Sequence, residues 1–271
     1  MAKVIDCIMY HSEADMVDLR CNILNDVVDY FVIVESGETH AGDPKPYNFP
    51  LRRFLIEYGE KIVYTQVETL YGDNAWKREK YHRACIEAAV DGLAINGMID
   101  VDDWTLVNDA DEIPDPKHVT ALRSLNSNIV TAKFEMDFYY YNFNMKVQQG
   151  WATGAARHRL GLNPNDIRTC NWNAVPLHYD SAAEYNGGWH FSYMMTPMQV
   201  IDKVKSFMHA HDPIIRDLPR DPVYIADKMN AGLDLYGRDL TIERVLLSDT
   251  LPRYVLDNID KYKALGWIVE A

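Results

Sequence analysis

No stretch of this 271-residue chain approaches the roughly 18 consecutive apolar residues of a membrane-spanning helix. The opening residues, MAKVIDCIMY, also lack the shape of a secretion signal. These two absences point to a soluble, cytoplasmic protein with no membrane span. Cysteine is scarce: Cys7, Cys21, Cys85 and Cys170 are scattered and form no CxxC pair. That argues against a cysteine-based metal or redox motif and makes reduced, buried thiols the expectation. Basic residues are outnumbered, 27 against 40 acidic, giving a formal net charge of -13. A chain this acidic has no general attraction for nucleic acid, because phosphate backbones are bound through lysine and arginine. A local basic pocket for a small phosphorylated ligand is still allowed. No internal repeat, low-complexity tract or interdomain linker appears, so residues 1–271 are expected to form one domain.

Hydrophobic residues make up 48% of the chain, enough for a sizeable core at this length. The first half alternates strand and helix signals. KVIDCIMY (3–10) and YFVIVES (Tyr30–Ser36) are short apolar runs of the kind buried on both faces of a sheet. Between them Met16, Leu19, Ile23 and Val27 recur at helical spacing. After the loop GETHAGDPKPYNFP come a short helix near Leu51–Tyr58, the strand KIVYTQV (61–67), a helix over about 75–93 and the strand WTLVND. Strand–helix–strand units of this length imply a parallel sheet with right-handed crossovers. The second half differs. NIVTAKFEMDFYYYNFN (128–144) predicts a long strand or hairpin arm, with further strand pieces at GAARHRL and GGWHFSYM. From Thr196 the pattern turns helical, with Val200, Ile201, Val204, Phe207 and Met208 on one stripe. The expected fold is therefore α/β, a Rossmann-type mixed sheet, mainly parallel, with flanking helices and a helical C-terminal tail. Its parts would be 1–127, 128–195 and 196–271.

Ligands of such sheets bind beyond the carboxyl ends of the strands. There the segment WTLVNDADEIPDP runs from an apolar strand into a knot of negative charge. In an extended chain Asp109 and Asp111, two apart, would project to one side. Two hard oxygen donors suit Mg2+ or Mn2+ rather than zinc, and such an ion could hold a diphosphate. The competing account is a solvated turn whose aspartates cap the helix that starts at PDPKHV. His190, in GGWHFSYM, faces away from Trp189 and Phe191 on a strand preceded by two glycines, and reads as a metal ligand or a core histidine. The segment AWKREKYHRA concentrates Lys77, Arg78, Lys80 and Arg83, of which Arg83 is best placed to fork onto phosphate; Lys45 is a weaker candidate. The aromatic run DFYYYNF and Trp151, Trp172 and Trp189 could offer flat faces to a sugar or simply fill the core. Trp151, which follows a glycine, is the acceptor-side candidate.

Three strings, DVVDYFVIVESGETHAGDPKP, NDADEIP and GGWHFSYMMTP, with AWKREKYHRA in support, resemble glycosyltransferase family 17. They occur in the family's order and span most of the chain from Val4 to about His211. The resemblance implies the GT-A fold and transfer of a sugar, N-acetylglucosamine from a UDP-GlcNAc donor, to a hydroxyl of an acceptor glycan. It implies a Mn2+ (or Mg2+) cofactor. Asp111 would be a metal ligand, Asp109 its partner toward the ribose or metal, and His190 a further metal ligand. Glu35 would face the uracil or ribose, with Arg78 and Arg83 at the donor phosphates. An inverting transferase also needs a carboxylate to take the acceptor's proton. Asp166, in LNPNDIR, stands in the order such enzymes favour, although helix capping explains it equally well; Glu135, Asp137, Asp180 and Glu184 stay open. Two other readings stand beside this one: a metal-dependent phosphohydrolase or nucleotidyltransferase using the same aspartates, and a non-catalytic carbohydrate-binding relic of the fold.

Overall fold

A computed structural model describes residues 1–158, 161, 163–169, 175–177 and 187–269 of the protein. Cys170, Trp172, Asp180 and Glu184 lie outside the described residues. The first half follows the expected alternation: β1 (Val4–Tyr10), α1 (Ala14–Leu24), β2 (Tyr30–Ser36), α2 (Leu51–Tyr58), β3 (Ile62–Val67), α3 (Ala75–Ile95) and β4 (Trp104–Val107). Strands β3, β2, β1 and β4 lie side by side in that order, all parallel. β1, β2 and β4 are buried almost throughout because both faces are covered, whereas the edge strand β3 is only partly buried. Ile5, Cys7, Val32 and Val34 pack on one side with Ile86, Val90 and Leu93 of α3. The intervening Val4, Ile8, Phe31 and Ile33 pack on the other with Met16 and Leu19 of α1. Each such side chain, fully buried, contributes roughly 1.5–3 kcal/mol against exposure.

The rest of the chain extends the same sheet. β5 (Glu112–Pro114) and α4 (Pro116–Leu122) are followed by β6 (Thr131–Tyr140), β7 (Met145–Arg157), α5 (Pro164–Thr169), β8 (Val175–Leu177) and β9 (Gly188–Ser192). Then come α6 (Pro197–Ser206), α7 (Pro213–Arg216), α8 (Pro222–Asn230), β10 (Ile242–Arg244), α9 (Arg253–Asp257) and α10 (Ile259–Ala264). The strand order is β3-β2-β1-β4-β7-β6-β9-β5, with β10 on β7 and β8 on β6. The β4–β7, β7–β6 and β9–β5 pairings are antiparallel and β6–β9 is parallel, so the sheet is mixed as expected. GAARHRL is not a separate strand: Gly154–Arg157 is the end of the 13-residue β7, paired with both β4 and β6. The tail from Thr196 is helical as read, opening with a capping box between Thr196 and Gln199 and with Pro197 in the first turn. Its Val200, Ile201 and Val204 pack on Tyr140 and Tyr193 at the end of the sheet. No described helix is long and apolar enough to cross a membrane.

The two glycines before His190 do allow a close approach, but to protein. Gly188 has φ +152°, and a Cβ there would meet the Ile113 carbonyl oxygen at 2.4 Å. β9 thus lies hard against β5, and Glu112 sits directly across from His190 in the ladder.

Candidate active site

A cavity of about 410 Å3 opens at the carboxyl ends of β1 and β4. Its floor is the acidic segment between β4 and β5. That segment is a turn, with the Glu112 amide donating to the Asp109 carbonyl at 3.0 Å. The same-side projection expected of an extended Asp109 and Asp111 is therefore corrected, because a tight turn sends the two side chains to different neighbours. Beneath it lies Arg20 of α1, fully buried and paired with Asp6 of β1 at 2.5 Å. The Arg20 guanidinium also donates to the Glu112 carbonyl at 2.6 Å and the Asp109 carbonyl at 3.2 Å. Held by its carbonyls from below, the turn presents its carboxylates upward.

Asp109 is gripped by two arginines: Arg83 Nη2 donates to Oδ1 at 2.9 Å and Arg168 Nη2 to Oδ2 at 3.3 Å. Burial pushes the Asp109 carboxyl up, but Arg168 and Arg83 outweigh it and hold the group well below the usual carboxylate range. Glu112 is completely buried. It accepts from Trp151 Nε1 at 2.6 Å and from the Asp109 amide at 2.7 Å, and pairs with Arg168. Burial, with Asp109 and Asp111 nearby, raises its proton affinity despite Arg168. Asp111 turns the other way, toward His190 Nε2 and Lys203 Nζ, each 3.8 Å from one of its oxygens. Burial pushes its carboxyl up to about 6, with Lys203 opposing. Three carboxylates thus face three cations, Arg83, Arg168 and Lys203. The negative knot is paired within the protein.

His190 lies between aromatic rings, stacked on Phe138 at 4.6 Å between centroids and tilted against Trp151 at 4.5 Å. Burial, with Arg168 adding to it, lowers its pKa to about 3, so the ring is neutral. Among the described residues no three His, Cys, Asp or Glu side chains form a group that could hold a metal. The Asp111–His190 pair is nevertheless compatible with one. Two ligands each about 2.1 Å from a shared ion stand roughly 3.0 Å apart when adjacent and about 4.2 Å when opposite. Their 3.8 Å separation falls in that span. Asp109, saturated by arginine, takes no part in that pair.

The expected residues divide accordingly. Asp109, Asp111, His190 and Trp151 line the cavity, and Arg83 stands behind Asp109. The Trp151 indole N–H is committed to Glu112, which fixes the orientation of the ring. Glu35, Arg78 and Asp166 are not brought to the cavity wall. Glu35 is fully buried, accepting from Lys45 Nζ, the Asn48 and Phe49 amides and the Tyr64 hydroxyl at 2.6–3.1 Å. Arg78 donates to the carbonyls of His40, Ala41 and Gly72 at 2.7–3.1 Å. Both fold the loop after β2. Asp166 is exposed on α5. Two residues further on, the same short helix supplies Arg168, which sequence reasoning missed, together with Glu112, Lys203 and the histidines His11, His40 and His82 of the cavity lining. The loop histidine and the basic helix were visible as residue types, but nothing local marked their common destination.

A cavity at the carboxyl edge of a mixed Rossmann-type sheet, floored by an acidic turn whose carboxylates are paired with arginine and lysine, defines an α/β protein with a candidate ligand site at its strand ends. Residues 1–266 match glycosyltransferase family 17, and the chain belongs to that family. It is similar to beta-1,4-mannosyl-glycoprotein 4-beta-N-acetylglucosaminyltransferase of Rattus norvegicus, at 26% identity over 97% of this chain and 54% of that protein. The proteins of the same name from Homo sapiens, 26% identical over 97% of this chain and 55% of that protein, and Mus musculus, 25% identical over 97% and 54%, are also similar. The chain therefore spans about half the length of these relatives. Among solved structures, a crystal structure of 4-diphosphocytidyl-2C-methyl-D-erythritol synthase aligns with a TM-score of 0.39 and 13% identity, covering 68% of this chain and 93% of that one.

Proposed function

We propose that this chain is a glycosyltransferase that moves N-acetylglucosamine from UDP-GlcNAc to a hydroxyl of an acceptor glycan, aided by Mn2+ or Mg2+. Family membership and the names of the relatives support the reaction class. The observation that carries the site is the convergence of Asp111, His190, Lys203 and Arg168 on one cavity. Breaking the sugar–phosphate bond leaves negative charge on the departing diphosphate. Fixed cations in a partly water-excluded cleft stabilise that charge more than they stabilise the bound donor, which is what lowers the barrier. Lys203, 20% exposed and cradled over the Tyr193 ring at 4.9 Å, and Arg168 are the protein's own groups for this task. Asp111 and neutral His190 would hold the divalent ion, which supplies further neutralisation of the diphosphate when bound. Arg83 and Arg168 keep Asp109 ionised and fixed, so the turn stays shaped for the nucleotide.

Thermal unfolding with UDP, in the presence and absence of Mn2+, tests this reading. A ligand that binds only the native state raises the melting temperature by mass action. UDP with Mn2+ should raise it more than the sum of either alone, and UDP-GlcNAc with a glycan acceptor should release UDP. No shift with any uridine nucleotide at saturation overturns the proposal. Release of phosphate without sugar transfer would reassign the site to hydrolysis.

A further inference from the structure

On the cavity wall nearest β2, three groups form a chain whose proton positions are fixed by its first member. His82 Nε2, on α3, lies 3.1 Å from the Val34 carbonyl of β2. A carbonyl can only accept, so Nε2 carries the proton. Burial holds the His82 ring neutral, its pKa lowered to about 4, which leaves Nδ1 as a lone pair. That lone pair sits 3.2 Å from His40 Nε2, which must then be the N–H donor. Burial and the neighbouring His82 hold His40 neutral as well. Its remaining nitrogen, Nδ1, is therefore an acceptor. No described residue hydrogen-bonds it, and His40 lines the cavity. The loop bearing His40 is pinned by Arg78, which donates to the His40 and Ala41 carbonyls at 2.7 and 2.8 Å. A neutral acceptor of defined tautomer is thus mounted on a pinned loop, in a cavity whose other acceptors include the carboxylates of Glu13, Glu38 and Asp111.

Its place in the fold indicates what it meets. The groups suited to a diphosphate, Asp111, His190 and Lys203, belong to the turn before β5, to β9 and to α6. The sheet runs from β9 through β6, β7, β4 and β1 to β2, so a nucleotide with its phosphates at that end extends its nucleoside toward the loop after β2. Accepting the uridine-nucleotide reading given above, we propose that His40 selects the donor's base, its Nδ1 accepting a hydrogen bond from the imide N3–H of uracil. Cytosine presents a lone pair at the same ring position, so the two acceptors would oppose each other. His82 is a positioning residue in this scheme, because it sets which His40 nitrogen carries the proton.

Calorimetric titration with UDP and with CDP, in the presence of Mn2+, tests the inference on the wild-type chain and on His40→Phe and His40→Gln. The wild type should prefer UDP by at least about tenfold. His40→Phe should bring the ratio to within about threefold through weaker UDP binding, with CDP bound at least as well as by wild type, which also shows that the variant is folded. His40→Gln, whose amide oxygen restores an acceptor, should recover part of the preference. Nitrogen-15 NMR of the free protein should find His40 protonated at Nε2 only, and His82→Phe should release that tautomer and reduce the preference for UDP. An unchanged UDP-to-CDP ratio in His40→Phe overturns the inference while leaving the transferase reading intact. So does a wild-type His40 protonated at Nδ1. Failure of the wild type to bind any uridine nucleotide overturns the transferase reading itself.

Discussion

Trp151 donates its indole N–H to Glu112 across 2.6 Å, tying β7 to the first residue of β5 directly beneath the cavity. The acceptor is a carboxylate with no exposed surface. Every donor it retains matters, since water cannot replace one that is lost. Trp151→Phe keeps most of the ring and removes only the N–H. It should cost about 1–3 kcal/mol, the penalty of leaving a buried acceptor underserved, measured by urea denaturation at neutral pH. If stability is unchanged, the bond does not hold the turn. Trp151→Phe with Glu112→Gln should lose less than the two single changes combined, because both delete one interaction.

The Arg20–Asp6 pair carries the turn from below. Removing one partner of a buried ion pair strands the other, at a cost of about 3–5 kcal/mol. Arg20→Met should therefore destabilise the chain by that order in denaturant titration. It also frees the carbonyls of Asp109 and Glu112, so the remaining folded protein should bind UDP less well than wild type. Restoring stability with a second change, Asp6→Leu, should not restore binding. Recovery of both would mean that Arg20 acts only on the core.

Much of this arrangement was legible in the sequence, and the failures have a common cause. β1, β2 and β4 read correctly because a strand buried on both faces must be an unbroken apolar run. The acidic segment was placed correctly at the strand end for the same reason. Its internal geometry was not, since the Asp109–Glu112 hydrogen bond that bends it is fixed by Arg20, 89 residues away from Asp109. Glu35 and Arg78 drew attention as charged residues near a binding edge, and the structure spends them on folding the loop after β2. Arg168 and Lys203 were overlooked because a lone cation on a short helix carries no local signal of what it faces.

Asp111 gives the chain a pH dependence of definite sign. Its folded pKa is raised to about 6, whereas an unfolded aspartate titrates near 4. A raised carboxyl contributes stability that is fully present below the unfolded value and lost as pH rises through the folded one. Asp111→Asn cannot ionise and escapes that loss. In metal-free protein the variant should match wild type near pH 4 and exceed it by up to about 2–3 kcal/mol at pH 8. The difference should open between about pH 4 and pH 6. Equal stability of the two proteins at pH 8 would show that Lys203 already neutralises the carboxylate in full.

The two aspartates of the turn should prove inequivalent. Asp109 is saturated by Arg83 and Arg168, while Asp111 meets His190 and Lys203 at 3.8 Å, close enough to attract and too far to be satisfied. An arriving divalent ion therefore finds Asp111 available. Asp111→Ala and His190→Ala should each abolish the part of the UDP-induced rise in melting temperature that depends on Mn2+. Asp109→Asn should lower stability, because it removes the carboxylate shared by two buried arginines and leaves Arg83 only Glu79 and Arg168 only Glu112, yet keep the Mn2+-dependent part. Lys203→Met separates the remaining possibility. A metal-assisted site should lose about tenfold in UDP affinity with Lys203 and still respond to Mn2+. A site in which lysine takes the metal's place should lose nucleotide binding altogether and show no response to Mn2+ in wild type either.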